Sequence, residues 1–333
     1  MTPAILTLIG LALIFDFLNG LHDSSNIVAT MISSRAFKPQ TALGITAIAH
    51  FVGPFLFGVA VAKTIGDEVV QAQSITMNVL FAALLGAILW NLLTWFLGIP
   101  SSSSHALIGG IVGAVIVGAG FDVIKLAGLG KVLIALLASP IIGFVFGFLV
   151  TRVIYFFARA ATPKVNTFFR RSQIVTALAL AFSHGTNDAQ KTMGIITLGL
   201  VISGVLPSFS VPLWVITISA GAIALGTAFG GWRLIKTLGG KFYKIRPVHG
   251  FASQLTSAIV ILGASLVGGP VSTTQVVSSS IMGVGSSERL SKVRWGVAQE
   301  IIVAWIITIP ATGLVSAGIY WVLVNIPALQ SFL

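Results

Sequence analysis

The sequence predicts an all-α polytopic membrane protein: an inverted repeat of two five-segment halves, 10–12 transmembrane helices or helical pieces, with broken helices and re-entrant hairpins. Three observations carry that expectation. The 333 residues are 56% hydrophobic and only 8% charged, where a soluble domain carries about 25% charged residues. One polar stretch, Asn19-Gly20-Leu21-His22-Asp23-Ser24-Ser25-Asn26, recurs as His184-Gly185-Thr186-Asn187-Asp188-Ala189-Gln190-Lys191, with its aspartates 165 residues apart. Both copies lie inside apolar sequence. The basic residues, finally, collect in alternate loops between the apolar runs.

Ten hydrophobic segments follow one another, at 3–33, 41–62, 77–97, 100–118, 131–158, 172–202, 211–231, 249–267, 270–285 and 296–325. A spanning helix needs about 20 apolar residues. Segments 3–33 and 172–202 exceed that and carry the repeated polar motif, so each is expected to be a broken helix, with Gly20 and Gly185 permitting the interruption. Segments 41–62, 77–97, 131–158, 211–231, 249–267 and 296–325 read as spans. Segments 100–118 and 270–285 open on proline and hydroxyl residues, and each is either a full span or part of a re-entrant hairpin. The 36 glycines suit close helix packing in lipid, and the Phe144 to Phe148 run suits packing or lipid contact. Strand alternation is absent, which argues against a β-barrel.

Orientation follows from Lys and Arg. With alternating loops, fifteen of the 19 basic residues fall on one side, only Lys63, Lys125 and Lys131 on the other, and Lys191 inside a segment. The basic side is cytoplasmic, which places both termini outside. Loop 34–40 is basic and its counterpart 203–210 uncharged; loop 63–76 carries one Lys and two acids, and its counterpart 232–247 five bases. Five segments per half is an odd number, so the second half enters the bilayer upside down. The expected division is residues 1–158, a basic cytoplasmic linker at 159–171, and residues 172–333. The net charge of +11 belongs to these loops, so no nucleic-acid partner is implied. With no cysteine, disulfides and thiolate metal sites are excluded. The start lacks a basic leader region, so no cleavable signal is expected.

Helical spacing puts Asn19, Asp23 and Asn26 on one face, and His184, Asp188 and Lys191 on the matching face of the second copy. An ionised aspartate at the bilayer centre costs roughly 2.5–3.5 kcal/mol, so two of them need a cation or a proton. Each aspartate could instead cap a helix break or pair with a neighbour such as Lys191. The second duplicated feature is a Pro-led hydroxyl cluster: Pro100-Ser101-Ser102-Ser103-Ser104-His105 and, 170 residues on, Pro270-Val271-Ser272-Thr273-Thr274-Gln275. Each proline is expected in the first turn of a helix. The hydroxyls then stand at helix N-termini, where free N–H groups and the dipole attract an anion. Two such termini meeting at the midplane would hold a tetrahedral oxyanion without any arginine. Inverted repeats with a midplane site recur among secondary transporters.

These residues resemble the inorganic phosphate transporter (PiT) family, whose signature is approximately Gly-Ala-Asn-Asp-Val-Ala-Asn in each half. Gly20 to Asn26 and Gly185 to Lys191 are similar to it, as are Trp90 to Trp95, Pro100 to His105, Gly269 to Thr274 and Ala304 to Pro310. His22 stands where the family usually has Asn, Gln275 where it usually has His, and Gln254 near a frequent acid. The resemblance implies phosphate uptake with sodium or protons. Phosphate is then expected on Ser102, Ser103, Ser104, Ser272, Thr273, Thr274 and Asn187. The coupling cation is expected on Asp23, Asn26, Asp188, Gln190 and His22, sodium itself on Asp23 and Asp188, with sodium as co-substrate and no cofactor. Asparagine, hydroxyl and carbonyl oxygens suit a hard cation, which favours sodium; a proton relay through His22, His184 and Glu300 is the alternative.

Further expectations are a plasma-membrane location, lipid contact and a homodimer. The competing readings are a sulfate permease and, from other classes, an anion channel or an intramembrane enzyme. No Ser-His-Asp set is recognisable from spacing, so no enzyme is expected. Asp16 is expected to line the cavity, Glu300 to pair with a loop base such as Arg294, and His105 and His249 to act as structural hydrogen-bonding residues.

Overall fold

The computed structural model describes residues 2–99, 101–162, 164–230 and 245–326, and the side chain of Asn26 is outside that description. Pro100, Arg233, Lys236, Lys241 and Lys244 also lie outside the described residues. Eleven α-helices occur among the described residues. They are α1 (Pro3–Ser33), α2 (Pro39–Leu56), α3 (Ala60–Lys63, prolonged by a π turn Thr64–Glu68), α4 (Met77–Leu97), α5 (Ser103–Ala119) and α6 (Leu126–Phe157). The rest are α7 (Val165–Ile202), α8 (Leu213–Phe229), α9 (Pro247–Leu266), α10 (Thr273–Glu288) and α11 (Trp295–Asn325). By length and composition α1, α4, α6, α9 and α11 can each cross a membrane, and the bent pair α2 and α3 makes a sixth. The chain is a multi-pass helical membrane protein.

The expected breaks in 3–33 and 172–202 do not occur: α1 and α7 each run unbroken through the polar motif. A continuous helix satisfies its own backbone, and these polar side chains turn inward instead of demanding a break. The glycines serve close approach. A Cβ on Gly185 would lie 2.6 Å from the His50 Cα of α2, so α7 and α2 touch backbone to backbone there. The break lies elsewhere, between α2 and α3, with a bend of 73°. Pro54 removes a donor inside α2, and Gly58 takes a positive φ of 78°.

Two apolar cores flank a polar middle layer. One contains Ile5 to Phe15 of α1 and Ala189 to Leu200 of α7. The other contains Ile27 to Met31 of α1 and Ala177 to Ala181 of α7. The chain therefore crosses from the first core to the second along α1 and returns in the opposite sense along α7. Between the cores lie the two copies of the motif. Partners are exchanged between the halves: α1 packs on α8 and α7 on α2, while α5 packs on α11 and α10 on α6. Helices α6 and α11 turn broad apolar faces outward, as at Ile134 and Leu314, whereas α7 is buried from Ser183 to Leu200. The helix with the most polar stretch is thus the one the others surround.

Helices α5 and α10, at 17 and 16 residues, are about 25 Å long at 1.5 Å per residue. That is short of a ~30 Å hydrocarbon core. Each pairs with the helix before it as an arm of a hairpin. An antiparallel bridge between Val70 and Ile124 ties the ends of α4–α5, and an ion pair between Arg246 and Glu288 ties those of α9–α10. Pro270 is not in the first turn: it lies ahead of the cap residue Ser272 of α10. The expectation for Pro100 falls outside the described residues, and α5 is capped by Ser102. Serine side chains can accept from the helix N–H groups, which proline cannot. The stretch expected as a linker is partly helical, since α7 already begins at Val165.

Candidate functional site

The hairpin tips meet in the polar layer. Ser102 caps α5 by accepting from the His105 N–H at 3.1 Å, and Ser272 caps α10 by accepting from the Gln275 N–H at 3.4 Å. His105 and Gln275, equivalent in the two clusters, come within 3.4 Å of each other. Ser104 donates to the Val271 carbonyl at 3.0 Å, so one tip is bonded directly to the other. Ser103 is buried, and its hydroxyl has no hydrogen-bond partner among the described residues.

The acids lie against these tips. Thr274 donates to Asp23 Oδ1 at 2.6 Å. Thr273 donates to Asp188 Oδ2 at 2.9 Å and is 3.4 Å from Asp23 Oδ2. His184 Nε2 is 3.1 Å from Asp188 Oδ2 and 3.7 Å from Asp23 Oδ2. One ligand atom from each of Asp23, His184 and Asp188 lies within 4.8 Å of the others, a spacing that fits a small oxygen- and nitrogen-liganded cation. Lys191, one turn beyond Asp188, forms an ion pair with Asp188 Oδ1. Asp23, His184, Asp188 and Lys191 are all at most 2% exposed.

Neighbouring residues hold this group in place. The His50 ring stacks on that of His184 at 4.7 Å between centroids and 9° between planes, and its Nδ1 is 2.7 Å from Thr227 Oγ1. His22 faces Thr94 at 3.5 Å, and Thr94 accepts from Ser101 at 2.9 Å, which leads from α1 to the α5 tip. Asn187 points the other way: its amide donates to Ser265 Oγ at 2.8 Å and to the Gly269 carbonyl at 3.3 Å, and so anchors the α9–α10 turn.

Some expected site residues stand elsewhere. Gln190 is away from the acids: its carbonyl oxygen accepts from Val61 and Ala62 N–H at 2.8 and 3.2 Å, and its amide donates to Gly58 at 2.8 Å. The broken helix leaves α3 with open N–H groups, and Gln190 satisfies them, which leaves no oxygen for an ion. Glu300 is exposed and has no ion-pair partner among the described residues. Glu288 is instead the acid that collects loop bases, with Arg246, Lys292 and His249 around it and Tyr155 donating at 2.5 Å. Asp16 is buried on α1. The sequence reading overlooked Thr227 and the capping role of Gln190. Only Gly53-Pro54 and Gly58, which mark the break, could have pointed to the latter.

A model of the phosphate transporter family matches residues 19–316 of the chain, the span that holds both motif copies and both hairpins. The chain belongs to the phosphate transporter family. The probable low-affinity inorganic phosphate transporter of Bacillus subtilis (strain 168) is 48% identical over 316 residues, covering 94% of this chain and 95% of that protein. A protein described in the same words from Rhizobium meliloti (strain 1021) is 47% identical over 321 residues, 96% of each chain. A solved structure described as the sodium-dependent phosphate transporter superposes with a TM-score of 0.90 at 24% identity, over 98% of this chain and all of that one; that likeness bears on the fold. As a member of this family the chain is a transport protein rather than an enzyme.

Proposed function

We propose that this phosphate transporter is a cation-coupled symporter that works by alternating access between two inverted halves. The observation that carries the reading is convergence. An acid from each half, Asp23 and Asp188, and a capped helix N-terminus from each half, at Ser102 and Ser272, share one buried layer. The opposite senses of α1 and α7, and the exchanged helix pairs, support the inversion, with residues 1–158 and 172–333 as the halves.

Phosphate is held at the α5 and α10 tips by Ser102, Ser103, Ser104, Ser272, Thr273 and Thr274, helped by the positive helix ends. Asn187 serves it indirectly, through the turn it anchors. The coupling cation sits at Asp23 beside His22, with Asn26 one turn on in sequence. Thr273 and Thr274 touch the acids and crown α10 at once, so they link cation to anion. Each ligand offsets the other's charge, a reciprocal coupling. Sodium is the preferred ion, because hydroxyl and carboxylate oxygens dominate around Asp23. The proton is the second reading, favoured by His184 standing between both acids. The protein lies in the plasma membrane with both termini outside, a reading that the loop charges support. Lipid covers α6 and α11, and a homodimer follows the family pattern.

Radiophosphate uptake into proteoliposomes under an imposed sodium gradient, a pH gradient or neither tests this. Accumulation above the external concentration with one gradient is expected. Downhill flux that ignores both gradients would mean a channel, and sulfate outcompeting phosphate would mean a sulfate permease.

A further inference from the structure

The two motif copies differ at the third residue after the aspartate: Asn26 in the first, Lys191 in the second. On α7 that lysine turns back one helical turn and forms an ion pair with Asp188 Oδ1, both residues at most 1% exposed. The other oxygen of Asp188 is engaged by Thr273 at 2.9 Å and His184 at 3.1 Å. Asp23 meets hydroxyls at 2.6 and 3.4 Å and the rings of His184 and His22 at 3.7 and 4.0 Å. An amide at this position offers an oxygen to a visiting cation, whereas an ammonium is itself a cation and repels a second one.

We infer that Lys191 is a built-in cation, filling at Asp188 the position that a mobile ion would take, so that only Asp23 binds an exchangeable cation. The inference rests on the symport reading above. A buried charge is retained where it is paired, and Lys191 is held by the same helix as its acid, so it stays with the protein through the cycle. The charge brought with each phosphate is then one mobile cation lower than two equivalent acids would accept. Asp16 of α1, Asp23, His50, His105 and His184 are the other titratable groups near this pair among the described residues, and none of them is a fixed positive charge.

Dual-label flux of ²²Na⁺ and ³²P-phosphate in proteoliposomes tests it, with wild type, Lys191→Asn and Lys191→Arg; where a pH gradient drives uptake, protons are counted by a pH electrode instead. Wild type and Lys191→Arg are expected to show one cation fewer per phosphate than Lys191→Asn. The cation dependence of uptake should steepen from a Hill coefficient of about 1 to about 2 in Lys191→Asn. Should Lys191→Asn not transport, ²²Na⁺ binding to the purified, monodisperse proteins decides: two sites per chain in Lys191→Asn against one in wild type. Two or more cations per phosphate in wild type overturns the inference, as does an unchanged count in Lys191→Asn. Uptake driven by neither gradient in wild type would instead remove the symport reading on which it stands.

Discussion

Asp23 and Asp188, from opposite halves of the chain, converge on one hydroxyl, that of Thr273, at 3.4 and 2.9 Å. Thr273 is also the first residue of α10. A single side chain thus touches both acids and opens the helix proposed to face phosphate, a direct route by which cation binding can be felt by the anion.

Thr273→Val keeps the branched shape and removes the hydroxyl. One hydrogen bond to a charged group contributes about 1.5–3 kcal/mol. The half-saturating cation concentration for uptake is expected to rise at least tenfold with the fold intact. An unchanged cation dependence would mean that Thr273 only packs.

Ser103 and Ser104 separate binding from structure. Ser103 makes no hydrogen bond to the described residues, so Ser103→Ala is expected to raise the apparent phosphate constant several-fold without lowering thermal stability. Ser104→Ala cuts the bond to Val271 and is expected to cost about 1 kcal/mol of stability. Melting of the purified proteins, set beside uptake kinetics, checks both.

Gly185→Ala places a methyl group against the His50 backbone at 2.6 Å. Backbone cannot swing aside as a side chain can, and overpacking of this kind costs about 1–3 kcal/mol. A lower melting temperature is expected, together with a weakened His50–His184 stack. Wild-type stability would contradict the close approach of α2 and α7.

Gln190→Leu leaves two buried N–H groups of α3 without acceptors, at about 1–3 kcal/mol for each. Stability is expected to fall while the number of cations per phosphate stays the same, because Gln190 holds the helix break and not the ion. A changed cation count would return Gln190 to the site.

The fold was legible where the signal was composition or repetition. Long apolar runs marked the spans, and the two offsets of 165 and 170 residues marked which polar residues belong together. Loop charges predict an inversion, and the opposite senses of α1 and α7 agree with it. Backbone continuity was not legible. Polar residues inside a long segment look like a break, yet a helix surrounded by other helices carries them without one, as α7 does. The real break at Gly58 was hidden because its cap, Gln190, lies more than a hundred residues away. The partners of single site residues were hidden for the same reason: spacing set Asp188 and Lys191 on one face, but only packing decided that they pair and that Asn187 turns towards Ser265.

The central claim is that anion and cation share one site and stabilise each other there. Titration calorimetry of phosphate on the purified protein, with and without sodium and across pH, measures this directly. Phosphate is expected to bind at least tenfold more tightly when the coupling cation is present, and sodium or the proton to bind more tightly by the same factor when phosphate is present. Phosphate affinity that is indifferent to both sodium and pH would contradict it.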